Sequence, residues 1–254
     1  MKNCWIIGAS YGIGEALSHQ LFDEGYDLVI SGRDLEKLKK IEKDLLQKSE
    51  TALEKRRVLC SQLDVSNLDS FTKSFAQIIE EFGKIDLVLF CSGLYQPMSA
   101  ADFDLEMSKK IIDVNLIGFL NLLHLVVPQM IKQNSGHIAV IASVAGYLGL
   151  PKSFAYGASK AALINLCEGI YHELKSKNIA LTLVNPGFVK TRLTDQNKFS
   201  MPFIISSDDA AKEICRGLRA KKFEIHFPKK FTFLLKFLRL LPYKIFFLLT
   251  RKIT

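Results

Sequence analysis

The sequence predicts an α/β fold: one doubly wound parallel sheet of about seven strands with helices on both faces. Three observations lead there. Short apolar runs alternate with longer amphipathic stretches along the chain. Several runs, such as Ile138-Ala139-Val140-Ile141, are apolar at every position, as a strand covered on both faces requires. The length of 254 residues suits one large domain, and 48% hydrophobic with 24% charged residues excludes a disordered chain.

Each element follows from local pattern. The first strand, 3–7, is closed by Gly8, and a helix over 13–24 follows the glycine-rich turn. The second strand, 27–31, ends at Gly32, and Asp34 is placed to cap a helix over 34–49. The third, 57–62, leads through Leu63-Asp64-Val65 to a helix over 67–81, with Ser66 and Asn67 as competing caps. Strand 86–90 precedes a long apolar helix, 108–133, and strand 137–142 precedes a helix over 153–177. Strand 179–185 runs into the Pro186-Gly187 turn, and helix 208–219 with strand 223–227 completes the sheet. No internal repeat, low-complexity stretch or interdomain linker stands out. The main compositional break, near Pro228, separates a body, 1–228, from an extension, 229–254. Sheets of this kind bind ligands beyond the carboxyl ends of their strands, where the strand order reverses.

Charge excludes one class of partner. The formal net charge is +8, yet Lys229, Lys230, Lys236, Arg239, Lys244, Arg251 and Lys252 all lie in 229–254, which holds no acid. The body is therefore close to neutral and gives no reason to expect nucleic-acid binding. Five scattered cysteines without a CxxC pair point to reduced thiols in a cytoplasmic protein. Five dispersed histidines give no metal-ligand spacing, so no metal is expected. The chain enters an apolar strand directly after Met1-Lys2-Asn3 and meets Gly8 too soon for a signal peptide.

Two constellations carry chemistry. The first is Gly8-Ala9-Ser10-Tyr11-Gly12-Ile13-Gly14, between a strand and a helix. Its glycines let the backbone turn tightly and approach a pyrophosphate, and the helix start offers free N–H groups. The second is Tyr156 and Lys160, four apart and so on one helix face, with small residues between them that leave room for a ligand's ribose. A free tyrosine has a pKa of ~10, and a nearby ammonium lowers it. Any helix surface can produce such a pair. Ser143, thirteen residues earlier at the carboxyl end of strand 137–142, makes the pattern specific: a hydroxyl there can donate to a carbonyl oxygen as charge develops.

These residues resemble the short-chain dehydrogenase/reductase family over about residues 3 to 227, and the resemblance implies a Rossmann-type fold. The glycine spacing is the family's, with Ile7 where a Thr is usual. Ile141-Ala142-Ser143-Val144-Ala145-Gly146 followed by Tyr156-x-x-x-Lys160 is similar to its active-site signature, and Asn115, in Asp113-Val114-Asn115-Leu116, takes the fourth tetrad place, holding a water linked to Lys160. The resemblance further implies that Asp64 with Val65 meets the adenine. Pro186, Gly187 and Val189 face the nicotinamide, and Thr191 contacts its carboxamide or phosphate. Gly8, Ser10, Tyr11, Gly12, Ile13, Gly14 and Gly93 complete the cofactor contacts. Where the family writes Asn-Asn-Ala-Gly, this chain has Phe90-Cys91-Ser92-Gly93 and keeps only the glycine.

No acid stands at Ser31 or Gly32, and Arg33 can neutralise a 2′-phosphate, so NADP(H) is expected ahead of NAD(H). The family's second basic residue, within the glycine loop, is replaced by Tyr11. The implied activity is hydride transfer between NADP(H) and a carbonyl or secondary alcohol, by a homo-oligomer (dimer or tetramer). A cofactor-sensing or scaffold protein of the same fold is the alternative.

Two segments bear on the substrate. Residues 195–207, with Phe199, Met201, Phe203, Ile204 and Ile205, correspond to a substrate lid in relatives, and either line an apolar substrate site or pack on the core. In the tail, Phe231, Leu234, Leu235, Leu238 and Leu241 fall at helical spacing, with Thr232, Lys236 and Arg239 on another face. Pro242 and the charges break this region well short of the roughly 20 apolar residues of a spanning helix. A basic amphipathic pair lying on the inner face of a membrane, or a tail packed between subunits, both fit. The first makes an apolar or lipid-like substrate the expectation.

Overall fold

The computed structural model describes residues 2–49, 56–197 and 201–251. Strands β1 (Lys2–Ile7), β2 (Tyr26–Gly32), β3 (Val58–Gln62), β4 (Leu87–Phe90), β5 (Gly136–Ile141), β6 (Ile179–Pro186) and β7 (Glu224–Phe227) form one sheet in the order β3-β2-β1-β4-β5-β6-β7. Every neighbouring pair is parallel. The chain starts mid-sheet, steps out to β3, then crosses back to lay β4 beside β1. The reversal therefore lies between the carboxyl ends of β1 and β4.

Alternation along each strand splits the core into two layers. Cys4 and Ile6 of β1 face Leu17, Leu21 and Phe22 of α1 (Gly12–Asp23), Leu38 and Ile41 of α2 (Leu35–Ser49), and Ile214 of α7 (Ser207–Arg219). Trp5 and Ile7 face the other layer, with Phe71 of α3 (Leu68–Phe82), Phe119 and Leu122 of α5 (Gly118–Gln133), and Leu163 of α6 (Phe154–Ser176). The Trp5 indole N–H donates to Ser31 Oγ at 2.8 Å, so the largest buried ring carries no unpaired polar atom.

The expected elements form, with ends shifted by a few residues. The long helix begins earlier than expected, at Leu105, because Asp104 caps it by accepting from the Met107 N–H at 2.9 Å. It is also interrupted. Between α4 (Leu105–Ile112) and α5 lies a π-helical turn, Asp113–Ile117, which periodicity did not forecast. The run Leu105–Gln133 is apolar and long enough to cross a membrane, but Phe119, Leu122, Val126 and Met130 pack into the core.

The tail forms α8 (Lys229–Arg239) and α9 (Tyr243–Thr250), separated at Pro242. Its faces differ from the expectation. Thr232 is fully buried and shares a 2.6 Å hydrogen bond with His226, and Lys236 turns inward to pair with Glu224. Leu235 and Phe246 pack against Val144 and Leu148, whereas Leu234, expected to share one face with Leu235, is exposed. The cause is the polar end of β7: Glu224 and His226 need partners, and one turn of α8 supplies both.

Candidate active site

The glycine loop is shaped by close approach. Gly8 has φ +85°, and a Cβ there would lie 2.6 Å from the Ser92 nitrogen, so no other residue fits. The N–H groups of Gly8 and Ala9 both donate to the Ser31 carbonyl, tying the loop to β2. A Cβ on Gly12, at φ +63°, would come 2.9 Å from Thr191 Cγ2, which brings the loop after β6 to the mouth of the turn. Gly14 is buried in the first turn of α1, and Ile13 packs on the core beneath it. Tyr11, the residue before α1, makes no side-chain cap bond. Ser10 Oγ is buried without a partner among the described residues. An uncapped helix start beside an orphaned hydroxyl fits the phosphates of a dinucleotide.

Charges gather where the adenosine end of such a ligand would fall. The Asp34 carboxylate caps α2 by accepting from the Lys37 N–H at 3.0 Å, as expected, and also accepts from the Tyr11 hydroxyl at 2.5 Å. That bond, helped by the backbone bond and the nearby Arg192 and Lys37, holds the Asp34 carboxyl below its usual range. Arg33 is exposed and close enough to Asp64 to help lower its carboxyl, after the dominant hydrogen bond from Ser66. Asp64 itself is exposed and accepts from Ser66 through N–H and hydroxyl, so it organises the turn after β3. Sequence reasoning missed Arg192. Its guanidinium lies 3.6 Å from the Tyr11 ring centroid, stacked on the residue that replaces the family's basic position. Nothing in the spacing signals this, since the two are 181 positions apart and only the fold joins them.

Val65 and Val189 are buried core side chains, so any contact they make with a ligand is through backbone. Gly187 donates to the Phe227 carbonyl at 2.7 Å and passes close beneath Phe231. The departure at Phe90-Cys91-Ser92 is absorbed by the sheet. Phe90 packs against Phe119, and the Cys91 N–H donates to the Ile7 carbonyl, prolonging the β1–β4 pairing.

The second constellation assembles at the end of β5. Ser143 caps a short 3₁₀ turn, its oxygen accepting from the Ala145 N–H, and it is hydrogen-bonded to Tyr156. Tyr156 and Lys160 share one face of α6, with Lys160 Nζ 5.6 Å from the phenol ring centroid. The electrostatics differ from the expectation. Burial pushes the Tyr156 phenol up to about 12, opposed by the Ser143 bond and reinforced by Tyr95. Burial likewise pushes the Lys160 ammonium down to about 8. Lys160 Nζ donates to the Ile141 carbonyl at 2.8 Å. Desolvation is the leading cause for both groups, and the one lowering influence on the phenol among the described residues is the Ser143 hydroxyl.

Asn115 sits in the π turn, and such turns occur often at functional sites. Its Oδ1 accepts from the Leu94 N–H at 2.7 Å, and its Nδ2 donates to the Leu94 carbonyl and to Ser159 Oγ. Both amide donors are therefore used on protein, and the side chain braces the loop after β4. A Cβ on Gly93 would lie 3.7 Å from both Asn115 Oδ1 and Lys160 Nζ, so the two flank this glycine.

Two further residues at the site had no sequence signal. Tyr95 meets the Tyr156 ring edge-on, with centroids 4.9 Å apart, and its hydroxyl donates to Asn197 Oδ1 at 2.8 Å. Phe231, from the tail, stacks on Phe188 and approaches Phe203. The expected lid divides accordingly. Ile205 pairs with 188–190 and packs on the core, Phe203 lies against Phe231 while remaining exposed, and Phe199 falls outside the described residues.

Sheet and site together place the chain among the oxidoreductases with Rossmann-type folds. Residues 2–200 match the family model described as short chain dehydrogenase. Over 245 residues the chain is 31% identical to an "uncharacterized oxidoreductase" of Myxococcus xanthus, covering 96% of this chain and 94% of the relative. It is 31% identical over 194 residues to the human dehydrogenase/reductase SDR family member 7, covering 76% of this chain and 57% of that one. An alcohol dehydrogenase from Thermococcus sibiricus, solved with 5-hydroxy-NADP, superposes with a TM-score of 0.80 at 26% identity, over 89% of this chain and 96% of that one. A short-chain dehydrogenase from Sphingobium yanoikuyae, in complex with NADPH, has the same fold with a TM-score of 0.81 at 22% identity, over 90% and 89% of the two chains. The chain belongs to the short-chain dehydrogenase/reductase family.

Proposed function

We propose that this protein transfers hydride between NADP(H) and a carbonyl or secondary alcohol on an apolar, lipid-like molecule. The observation that carries the reading is the convergence of Ser143, Tyr156 and Lys160 beside the sheet's reversal point, one strand from the glycine loop. When bound, the reduced nicotinamide supplies the hydride that adds to the carbonyl carbon. Ser143 donates a hydrogen bond to the carbonyl oxygen, and Tyr156 Oη gives that oxygen its proton. Lys160 would hold the ribose hydroxyls and, with a water beside Asn115, would return a proton to the tyrosine. Alcohol oxidation uses the same groups in reverse.

NADP(H) ahead of NAD(H) is supported by Arg33 and by Arg192, which Tyr11 holds by stacking. The Thermococcus and Sphingobium relatives were solved with NADP-type ligands, which accords with this choice. An apolar substrate is supported by the aromatic wall of Phe188, Phe203 and Phe231. We place the chain in the cytoplasm on its five free cysteines. A homo-oligomer, dimer or tetramer, belongs to the proposal because members of this family commonly assemble in that way.

The test is NADPH and NADH oxidation against aldehydes and ketones of increasing chain length. NADPH turnover with kcat/KM rising along the series is expected, and Arg192→Ala should raise KM for NADPH about tenfold, the loss of one charge-assisted contact, while leaving NADH unaffected. Equal use of both cofactors would overturn the preference, and no turnover across the series by cofactor-bound protein would overturn the activity.

A further inference from the structure

We infer that α8 and α9 form a docking surface for an anionic lipid bilayer. The inference goes beyond the oxidoreductase reading and does not depend on it.

The inner side of these helices is already occupied. Leu235 and Phe246 pack with Val144 and Leu148, with Phe231, Leu238 and Leu241 around them. Thr232 bonds His226, and Lys236 pairs with Glu224, which also accepts from Tyr147 and Asn185. The helices are thus fixed to the body, and what they present outward is a defined surface.

That surface is apolar and large. Phe233, Leu234, Phe237 and Leu240 are exposed on α8, Leu240 at 81%. Across Pro242 it continues through Tyr243, Ile245, Phe247, Leu248 and Leu249, with Tyr243 stacked on Phe247. Single exposed leucines are ordinary, whereas a run of this extent marks an interaction site.

Its charge selects the occupant. Exposed Lys229, Lys230, Arg239 and Lys244 border the apolar residues, and 229–254 contains no acid. A second copy of the same surface would set these cations against one another. An anionic bilayer satisfies both features at once, taking the leucine and phenylalanine side chains below its headgroups and the cations among them. Helices of 11 and 8 residues lie in the interface, being far short of the roughly 20 needed to span.

The placement matters for the site. Val144, which follows Ser143 directly, and Leu148, five residues on from Ser143, carry the helices, and Phe231 stacks on Phe188.

Flotation of the full chain tests this, with vesicles of phosphatidylcholine alone and of phosphatidylcholine with phosphatidylglycerol. The chain should float with the anionic vesicles, in a fraction that falls as salt screens the attraction. The triple substitution Phe237→Glu, Leu240→Glu, Leu248→Glu should lower that fraction at least tenfold. All three side chains are exposed, so thermal stability and turnover of a water-soluble aldehyde should stay as in the parent. Absence of flotation by the parent chain, or equal flotation by the triple variant, would overturn the inference. So would a variant that changes only the oligomeric state in sedimentation, which would assign the surface to a second copy. Flotation needs no turnover, so its failure is separable from failure of the oxidoreductase reading.

Discussion

The half of the sheet from β1 to β3 and the half from β5 to β7 build their sites in different ways. The first uses backbone: Gly8 and Gly14 bring main chain against main chain, and Ser31 holds the turn by its carbonyl. The second uses side chains from distant segments. Ser143, Tyr156 and Lys160 meet there, and Glu224 of β7 joins Asn185 of β6, Lys236 of α8 and Tyr147 from the loop after β5. A backbone site is intolerant of any added atom, whereas a side-chain site is tuned by burial and charge. Substitutions in the two halves should therefore fail differently.

The largest effect is expected in the first half. Gly8→Ala puts a Cβ against the Ser92 backbone at a positive φ. It should destabilise the protein by about 2–4 kcal/mol and weaken NADPH binding more than tenfold, read by thermal denaturation and by fluorescence titration. A parent-like melting temperature would break the contrast.

Lys160 supplies the intermediate effect, with the opposite sign for stability. Its pKa falls from an ordinary lysine value to about 8 on folding, because burial disfavours the charge. The unfolded chain therefore binds more protons between pH 8 and the ordinary lysine range, and stability rises with pH across that window. Lys160→Met should stabilise the cofactor-free protein by about 2 kcal/mol at pH 7 and lose this advantage as pH rises through the window. Denaturant unfolding at pH 7 and pH 10 measures both, and turnover should collapse in the same variant.

The smallest effect is at the tail. Burial of Glu224 opposes its ionisation, but bonds from Lys236, Tyr147 and Asn185 hold its carboxyl below the usual range. Its stabilisation is present above the ordinary carboxylate range and is lost as pH falls through the depressed value. Glu224→Gln should cost about 1 kcal/mol at pH 7, a difference that thermal melts should find vanishing in acid.

The same division explains what the sequence revealed. The alternation that gives a parallel sheet, the glycine turn, the Asp34 cap and the shared face of Tyr156 and Lys160 depend on patterns within a few residues, so they were readable directly, whereas the strand order was not. The π turn at Asn115 was not, because one extra residue in a helix leaves the apolar period nearly unchanged. Arg192 on Tyr11, Tyr95 on Tyr156 and Phe231 on Phe188 join residues that only the fold brings together. The tail's faces were misassigned for a related reason: helical spacing counts Thr232 and Lys236 as polar, but not the polar groups of β7 that claim them.

We propose that Tyr156 is the acid–base group, kept neutral by burial in the free protein and lowered in pKa when a cationic nicotinamide binds beside it. Ultraviolet difference spectra near pH 9 of the parent and Tyr156→Phe, each with and without saturating NADP⁺, test it most directly. The account predicts one phenolate that appears in the parent only when NADP⁺ is added and never in Tyr156→Phe. A spectrum unchanged by NADP⁺, or a phenolate that survives the substitution, would contradict it.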